Sequence, residues 1–285
     1  MLLAVAGGTA LYLRKGSLAE AATTGNATKV RWLLALGADP NLRGPDGATP
    51  LGQSLAHGHL GVARLLVKRG ADPNAAGPTG EALLCEAVRS GRVEAVEVLL
   101  EGGARPDTKE ADGSPLVVSA AGAGRTGVVQ ALLEHGADPN VSGPDGTSPL
   151  MKAAIIGAAD TVQTLLAHGA RVDARTREGY TALHLAVRGL LMGGLMHEQI
   201  ALVDPHDEFW KRQREGCRKA ARVLLEHGAD PFCRGPQGTT PLREATVIGD
   251  REMVALLRAH GAKRVASSEG NRTAAAAADA IEALR

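Results

Sequence analysis

Nine histidines, three cysteines and one glycine-rich stretch are the residues of this chain that could carry chemistry. Gly122-Ala123-Gly124-Arg125-Thr126-Gly127 has the glycine spacing of a loop that lets backbone amides approach a pyrophosphate. That chemistry needs a strand before the loop and a parallel sheet around it. His197, Asp204, His206 and Asp207 offer nitrogen and oxygen ligands to a divalent metal. His197-Glu198, however, lacks the second histidine of a zinc-protease helix, and the spacing matches no standard ligand set. Cys85, Cys217 and Cys233 close no disulfide set and show no paired metal spacing, which fits buried thiols in a reducing compartment. Serines, histidines and acids are plentiful, yet no pattern places a nucleophile beside a base. The expectation is a chain with no catalytic, cofactor or metal site.

The elements that must position these residues are set by a period. A Gly-Ala dipeptide closes a leucine-rich segment at Gly37, Gly70, Gly103, Gly136, Gly169, Gly228 and Gly261, and every interval is 33 residues except the 59 between Gly169 and Gly228. Such a period means that each unit is one supersecondary motif, unable to bury its apolar face alone and stacked on its neighbours. Residues 49–74 serve as the model repeat. Thr49 is a good N-cap and Pro50 a good first helical residue, because the hydroxyl satisfies an orphan amide and proline needs no donor there. Gly58 breaks this helix, a second carries Val62, Leu65 and Leu66 on one face, and Gly70 supplies a left-handed cap. Asp72-Pro73-Asn74 turns the chain into an extended finger. Helix starts recur at Ser114-Pro115, Ser148-Pro149, Thr181-Ala182 and Thr240-Pro241. His135, His168, His227 and His260 each precede a capping glycine, where an imidazole can bond terminal carbonyls. This register also puts the glycine-rich stretch between two helices, which removes the nucleotide reading.

Two short helices and a finger repeated at 33 residues resemble the ankyrin repeat. Thr181-Ala182-Leu183-His184-Leu185-Ala186 and Gly136-Ala137-Asp138-Pro139-Asn140 look like that family's two signature stretches, and the resemblance covers roughly residues 16 to 275. It implies an all-α repeat solenoid of about seven repeats: a curved stack of helix-turn-helix units with extended β-hairpin fingers, binding through its concave face. It also assigns His59 and His184 to knitting adjacent repeats, leaving His57, His197 and His206 unexplained. Two departures stand out. Ala82-Leu83 replaces the capped start of the third repeat, removing about 1 kcal/mol of capping. The fourth repeat loses one finger residue and gains one among its glycines, so repeats three and four are expected to be the least stable.

The long interval is one period plus 26 residues, assigned to an insertion over residues 190–215 between the helices of repeat six. Asp204-Pro205 with Asp207 and Glu208 reads as a capped helix start. Run on to the next cap, that helix is about 23 residues, or roughly 34 Å. Gly193-Gly194 reads as a break before it. Phe209 and Trp210 give the insertion the composition of a partner-binding surface; a fold-back of these side chains onto repeats five and seven is the competing reading.

The family's variable helix positions include Ile155-Ile156, Arg188-Gly189 and Val247-Ile248, with Arg175, Arg177, Arg234, Asp145 and Gln237 at finger tips. Aliphatic pairs at expected surface sites mark a contact patch around repeats five to seven. The function expected is a non-catalytic scaffold that docks another protein there, with no cofactor and as a monomer. With 32 basic and 31 acidic side chains, no global field attracts nucleic acid. Residues 1–15 form an apolar N-terminal segment, too short to span a membrane. It serves either as a lid on the first repeat, with a cytoplasmic chain, or as an anchoring or export remnant. The array runs over residues 16–270, and residues 271–285 read as an alanine-rich capping helix.

Overall fold

The computed structural model describes the backbone of residues 18–199 and 208–268, and the side chains of these except 192–199, 208–209 and 262–268. The apolar N-terminal segment, the Asp204-Pro205 helix start and the C-terminal capping helix lie outside the described residues.

Fourteen α-helices are described, in the order α1 (residues 18–23), α2 (Ala27–Ala35), α3 (Pro50–Ala56), α4 (Leu60–Lys68), α5 (Leu83–Ser90), α6 (Val93–Glu101), α7 (Leu116–Gly122), α8 (Thr126–Glu134), α9 (Pro149–Ile155), α10 (Ala159–Ala167), α11 (Ala182–Gln199), α12 (Glu208–Glu226), α13 (Pro241–Ile248) and α14 (Arg251–Ser268). They form an all-α array of helix pairs. The fingers between pairs make no sheet among the described residues, only isolated antiparallel bridges such as Ala76 with Ala82 and Lys109 with Pro115. The described chain falls into two compact bodies, one of the residues up to Ala120 with Gly127–Asp138, the other of Ala121–Thr126 with the residues from Pro139 onward.

Local chemistry explains the helix starts. The hydroxyl of Thr49 accepts from Gly52 N–H at 3.1 Å, that of Ser148 from Met151 N–H at 3.3 Å, and that of Thr240 from Arg243 N–H at 3.3 Å. Ser114 instead donates its hydroxyl to Asp112 Oδ2 at 3.0 Å, and Ala82 offers α5 no side-chain cap. The core is aliphatic, as six aromatic residues in 285 require. Leu51, Leu66, Leu84 and Leu99 are fully buried in the first body; Leu150, Leu165, Leu183 and Leu224 are fully buried in the second. Each contributes about 1.5–3 kcal/mol. The glycine-rich stretch spans the turn between α7 and α8, with no strand before it.

Five histidines share one device, an imidazole Nδ1–H donating to the carbonyl four residues back. His57 bonds Gln53 at 2.9 Å, His135 Ala131 at 2.8 Å, His168 Thr164 at 2.9 Å, His227 Val223 at 2.8 Å and His260 Leu256 at 3.1 Å. His57, unexplained by the period, is thereby a helix-end residue like the rest. His59 reaches back across repeats to the Thr23 carbonyl at 2.9 Å.

Two sequence expectations are corrected. Gly261 ends no helix: α14 runs through it to Ser268, so no finger begins there among the described residues. Three of the other Gly-Ala caps, at Gly70, Gly103 and Gly169, are clamped by an asparagine of the finger before them. Asn41 Nδ2 donates to the Gly70 carbonyl at 3.0 Å and its Oδ1 accepts from Asp72 N–H at 2.7 Å, and Asn74 does the same for Gly103 and Arg105. Gly136 and Gly228 end their helices without such an asparagine, but each is followed three residues later by a proline, Pro139 and Pro231; Gly261 has neither, and Ala262-Lys263-Arg264 continue as good helix formers. Gly193-Gly194 likewise makes no break. Leu190, Leu191, Met192, Leu195 and Met196 around the pair favour helix enough to offset about 1 kcal/mol per glycine, and α11 continues to Gln199.

Candidate functional site

In the second body, α11 and α13 lie side by side and leave an open groove of about 490 Å³ lined by Arg188, Leu191, Arg243, Glu244, Val247 and Ile248, with the finger residues Gln237 and Thr239 at its mouth. The sequence dictates the α13 face. Ala245 is fully buried, so Glu244, Val247 and Ile248, at spacings of three and four, share the flank turned to α11. Val247 is 82% exposed, the most exposed large hydrophobic residue described.

The polar part of the groove is unevenly satisfied. Arg188 lies 3.8 Å from Glu244 Oε1; its guanidinium stacks 4.5 Å above the Tyr180 ring and donates to the Tyr180 hydroxyl. Glu244 Oε2 is buried without a partner. Burial pushes the Glu244 carboxyl up, opposed by Arg188.

The groove is held from below and beside. Neutral His184, with its Nε2–H toward the Thr239 carbonyl at 3.4 Å and Nδ1 2.9 Å from the Thr181 hydroxyl, ties the start of α11 to the next finger. Burial holds this imidazole below its usual pKa. Arg175 Nη1 donates to the Gly179 carbonyl at 3.0 Å and to the Arg234 carbonyl at 2.6 Å, lashing two fingers together.

The sequence-predicted site residues fall into separate places. Arg188, Val247 and Ile248 meet in the groove. Arg175 and Arg234 sit on adjoining fingers, and Arg177 lies over Gly146 of the finger before. Half-buried Ile155 and Ile156 lie at the α9–α10 turn. There the Ile155 carbonyl is approached by Gln213 Nε2 at 3.5 Å and Cys217 Sγ at 3.7 Å. Trp210 is half-buried on α12; the side chain of Phe209 lies outside the described residues.

The period gave no sign of Glu244, Tyr180 or Asp250. Asp250 is a fully buried carboxylate that caps α14 through Met253 N–H at 2.9 Å and receives Arg218 at 2.8 Å and Arg214 at 3.1 Å. Burial opposes its charge, but the Arg218, Met253 and Arg214 bonds hold the carboxyl below its usual value. Arg214 and Arg218, four apart on one helix face, were the available signal. Through Gln213 and Arg214, the start of α12 folds back onto repeats five and seven.

The chemistry open to other groups is limited. Burial pushes the Cys217 thiol up to about 12 and raises Cys85 and Cys233 too, which makes them poor nucleophiles. Among the described residues no group of three or more His, Cys, Asp or Glu could hold a metal; Asp204, His206 and Asp207 and the side chain of His197 lie outside them. No described helix is long and apolar enough to cross a membrane.

Comparison with known proteins agrees with this geometry. The family model "Ankyrin repeats (3 copies)" matches residues 18–110 and 116–197. The ankyrin repeat domain of Bcl-3, described as a unique member of the IkappaB family, is similar at 27% identity and a TM-score of 0.61, covering 85% of this chain and 97% of its own. An ankyrin repeat domain from Acinetobacter baumannii AYE is similar at 27% identity and the same TM-score, covering 74% of this chain and 97% of its own. A search of curated proteins returned no match. Helix pairs at a 33-residue period, finger asparagines clamping the glycine caps, and a family match over more than half the chain together make this protein a member of the ankyrin repeat family.

Proposed function

We propose that this chain is a non-catalytic scaffold that docks a partner protein on the helix-and-finger face of repeats five to seven, with the α11–α13 groove as its anchor point. Ankyrin repeats generally mediate protein–protein interaction and typically carry no catalysis, which supports the class. The observation that carries the location is Val247, 82% exposed beside Ile248 and Leu191 and above an unpartnered buried carboxylate oxygen. An apolar patch of this kind with an unsatisfied polar group is what a partner side chain and a hydrogen-bond donor would complete. The Arg175 and His184 bonds hold the groove walls in place, so little ordering entropy is lost on docking.

Affinity capture from source extract with the full chain, its Val247→Asp variant and a Trp32→Ala control tests the reading. Capture is expected to fail only for Val247→Asp; partners retained equally by all three would overturn it. A second reading, a membrane-tethered or exported adaptor, rests on the apolar Met1–Leu13 sequence. It requires membrane fractionation that deletion of residues 1–15 abolishes.

A further inference from the structure

Repeat one breaks the pattern of the array on one flank. Directly before the capping glycine the other repeats carry Arg69, Gly102, His135, His168, His227 and His260, all polar or small, whereas repeat one carries Leu36. Leu36 is 44% exposed, and Trp32, one turn earlier on the same flank of α2, is 61% exposed. With Val247 they make up the large hydrophobic side chains exposed among the described residues. One, two and three periods on from Trp32 the same position is covered: Leu65 is half-buried, and Val98 and Ala131 are buried. The flank faces backward along the array, since a Cβ on Gly102, the counterpart of Leu36, would stand 2.7 Å from Val67 Cγ1 of the preceding repeat. Among the described residues no repeat precedes Trp32 and Leu36.

We infer that the chain's own apolar segment, residues 1–13, docks on this flank, seating its aliphatic side chains on Trp32 and Leu36 and closing the first repeat. The entry point favours it. The segment leads into Leu18, the first residue of α1, and Lys29 Nζ meets Glu20 Oε2 at 3.3 Å across the α1–α2 pair. With only residues 24–26 between them the two helices run antiparallel, which brings the chain in beside the end of α2 that carries Trp32 and Leu36. The finger clamps give the same register. Asn41, Asn74 and Asn140 each reach the glycine cap 29 residues further on, and 29 residues before Gly37 stands Gly8, in the middle of the segment. The composition fits a covering role. Leu2, Leu3, Val5, Leu11, Tyr12 and Leu13 occur with no charge before Arg14, so the segment can meet an apolar flank without burying an unpaired charge. An occupant tethered this close outcompetes free partners through its effective concentration, and covering the end of a repeat stack keeps it soluble.

The test reads the surroundings of Trp32. Trp210→Phe leaves Trp32 as the single tryptophan of the full chain, and its emission and acrylamide quenching are compared with those of the same chain lacking residues 1–13. Circular dichroism checks that both fold, and sedimentation fixes a concentration at which both are monomeric. The full chain is expected to emit at shorter wavelength, and the deletion to raise the quenching constant severalfold. A second arm keeps Trp210: trypsin should cut after Arg14 and Lys15 severalfold faster in a Trp32→Asp/Leu36→Asp variant than in the native chain, read by mass spectrometry of the released peptides. Both substituted residues are exposed, so the core is left intact. Equal quenching with and without the segment, or cleavage indifferent to the double variant, would overturn the inference. Shielding of Trp32 that is lost on dilution of the full chain would assign the flank to a second copy and overturn it too. Shielding that arises only with phosphatidylcholine–phosphatidylglycerol vesicles would assign the segment to a membrane, with the same result.

Discussion

Asn140 closes a helix end that belongs to the next repeat: its Nδ2 donates to the Gly169 carbonyl at 3.1 Å and its Oδ1 accepts from Arg171 N–H at 2.8 Å. One side chain thus serves both a carbonyl and an N–H of the turn that follows α10. Asn140→Ala is expected to lower stability by about 1 kcal/mol, the net worth of exposed hydrogen bonds, in urea titration.

Gly157 sits in the left-handed region at φ 71°, and a Cβ there would lie 2.5 Å from Cys217 N and 2.7 Å from Gly216 C in α12. Gly157→Ala should therefore cost roughly 3 kcal/mol, from backbone strain plus overpacking. Gly169, at φ 85° with nothing within 4 Å of a Cβ, should lose only the strain, about 1 kcal/mol, on the same change. Urea midpoints of the two variants compare them directly.

Ala82 has extended backbone, φ −61° and ψ 142°, but no side-chain acceptor for the α5 amides. Ala82→Thr is expected to add about 1 kcal/mol. Hydrogen exchange should show slower exchange of the first α5 amides in the variant, and lower native protection in repeats three and four than elsewhere.

Burial of His184 makes the native state bind fewer protons than the unfolded chain. Stability therefore rises with pH and is lost as pH falls through the unfolded value of about 6.5. Urea midpoints should drop between pH 7.5 and 5.5 in the native protein and change less in His184→Gln. Asp250 is the opposite kind of group, its carboxyl held low. Its contribution is present above about pH 3.9 and lost as pH falls further, so the two windows separate.

Removing Asp250 leaves Arg214 and Arg218 without their shared buried partner and α14 without its cap. Asp250→Ala should cost about 3–5 kcal/mol, read from thermal unfolding. Asp250→Asn, which can still accept from Met253 N–H, should cost less.

Repeat boundaries were legible because each depends on neighbours in sequence: a hydroxyl before a proline, a glycine after a leucine pair. The same signal misled at Gly261, where the glycine is present but no proline follows three residues on and the helix continues to Ser268. Gly193-Gly194 failed as a break for a related reason, since the surrounding leucines and methionines outweigh two glycines. Of the groove, the variable positions Arg188, Val247 and Ile248 could be read from register. Glu244 could not, because a glutamate on a helix looks solvated until another helix is packed over it.

The sequence by itself determined the array: the period, the aliphatic core and the capped helix pairs follow from spacing and local hydrogen-bond chemistry. Only the tertiary structure decided which side chains meet. Arg188 over Tyr180 and beside Glu244, and Arg214 and Arg218 on Asp250, join residues from different elements. The burial and charge that define such contacts exist only once those elements are packed.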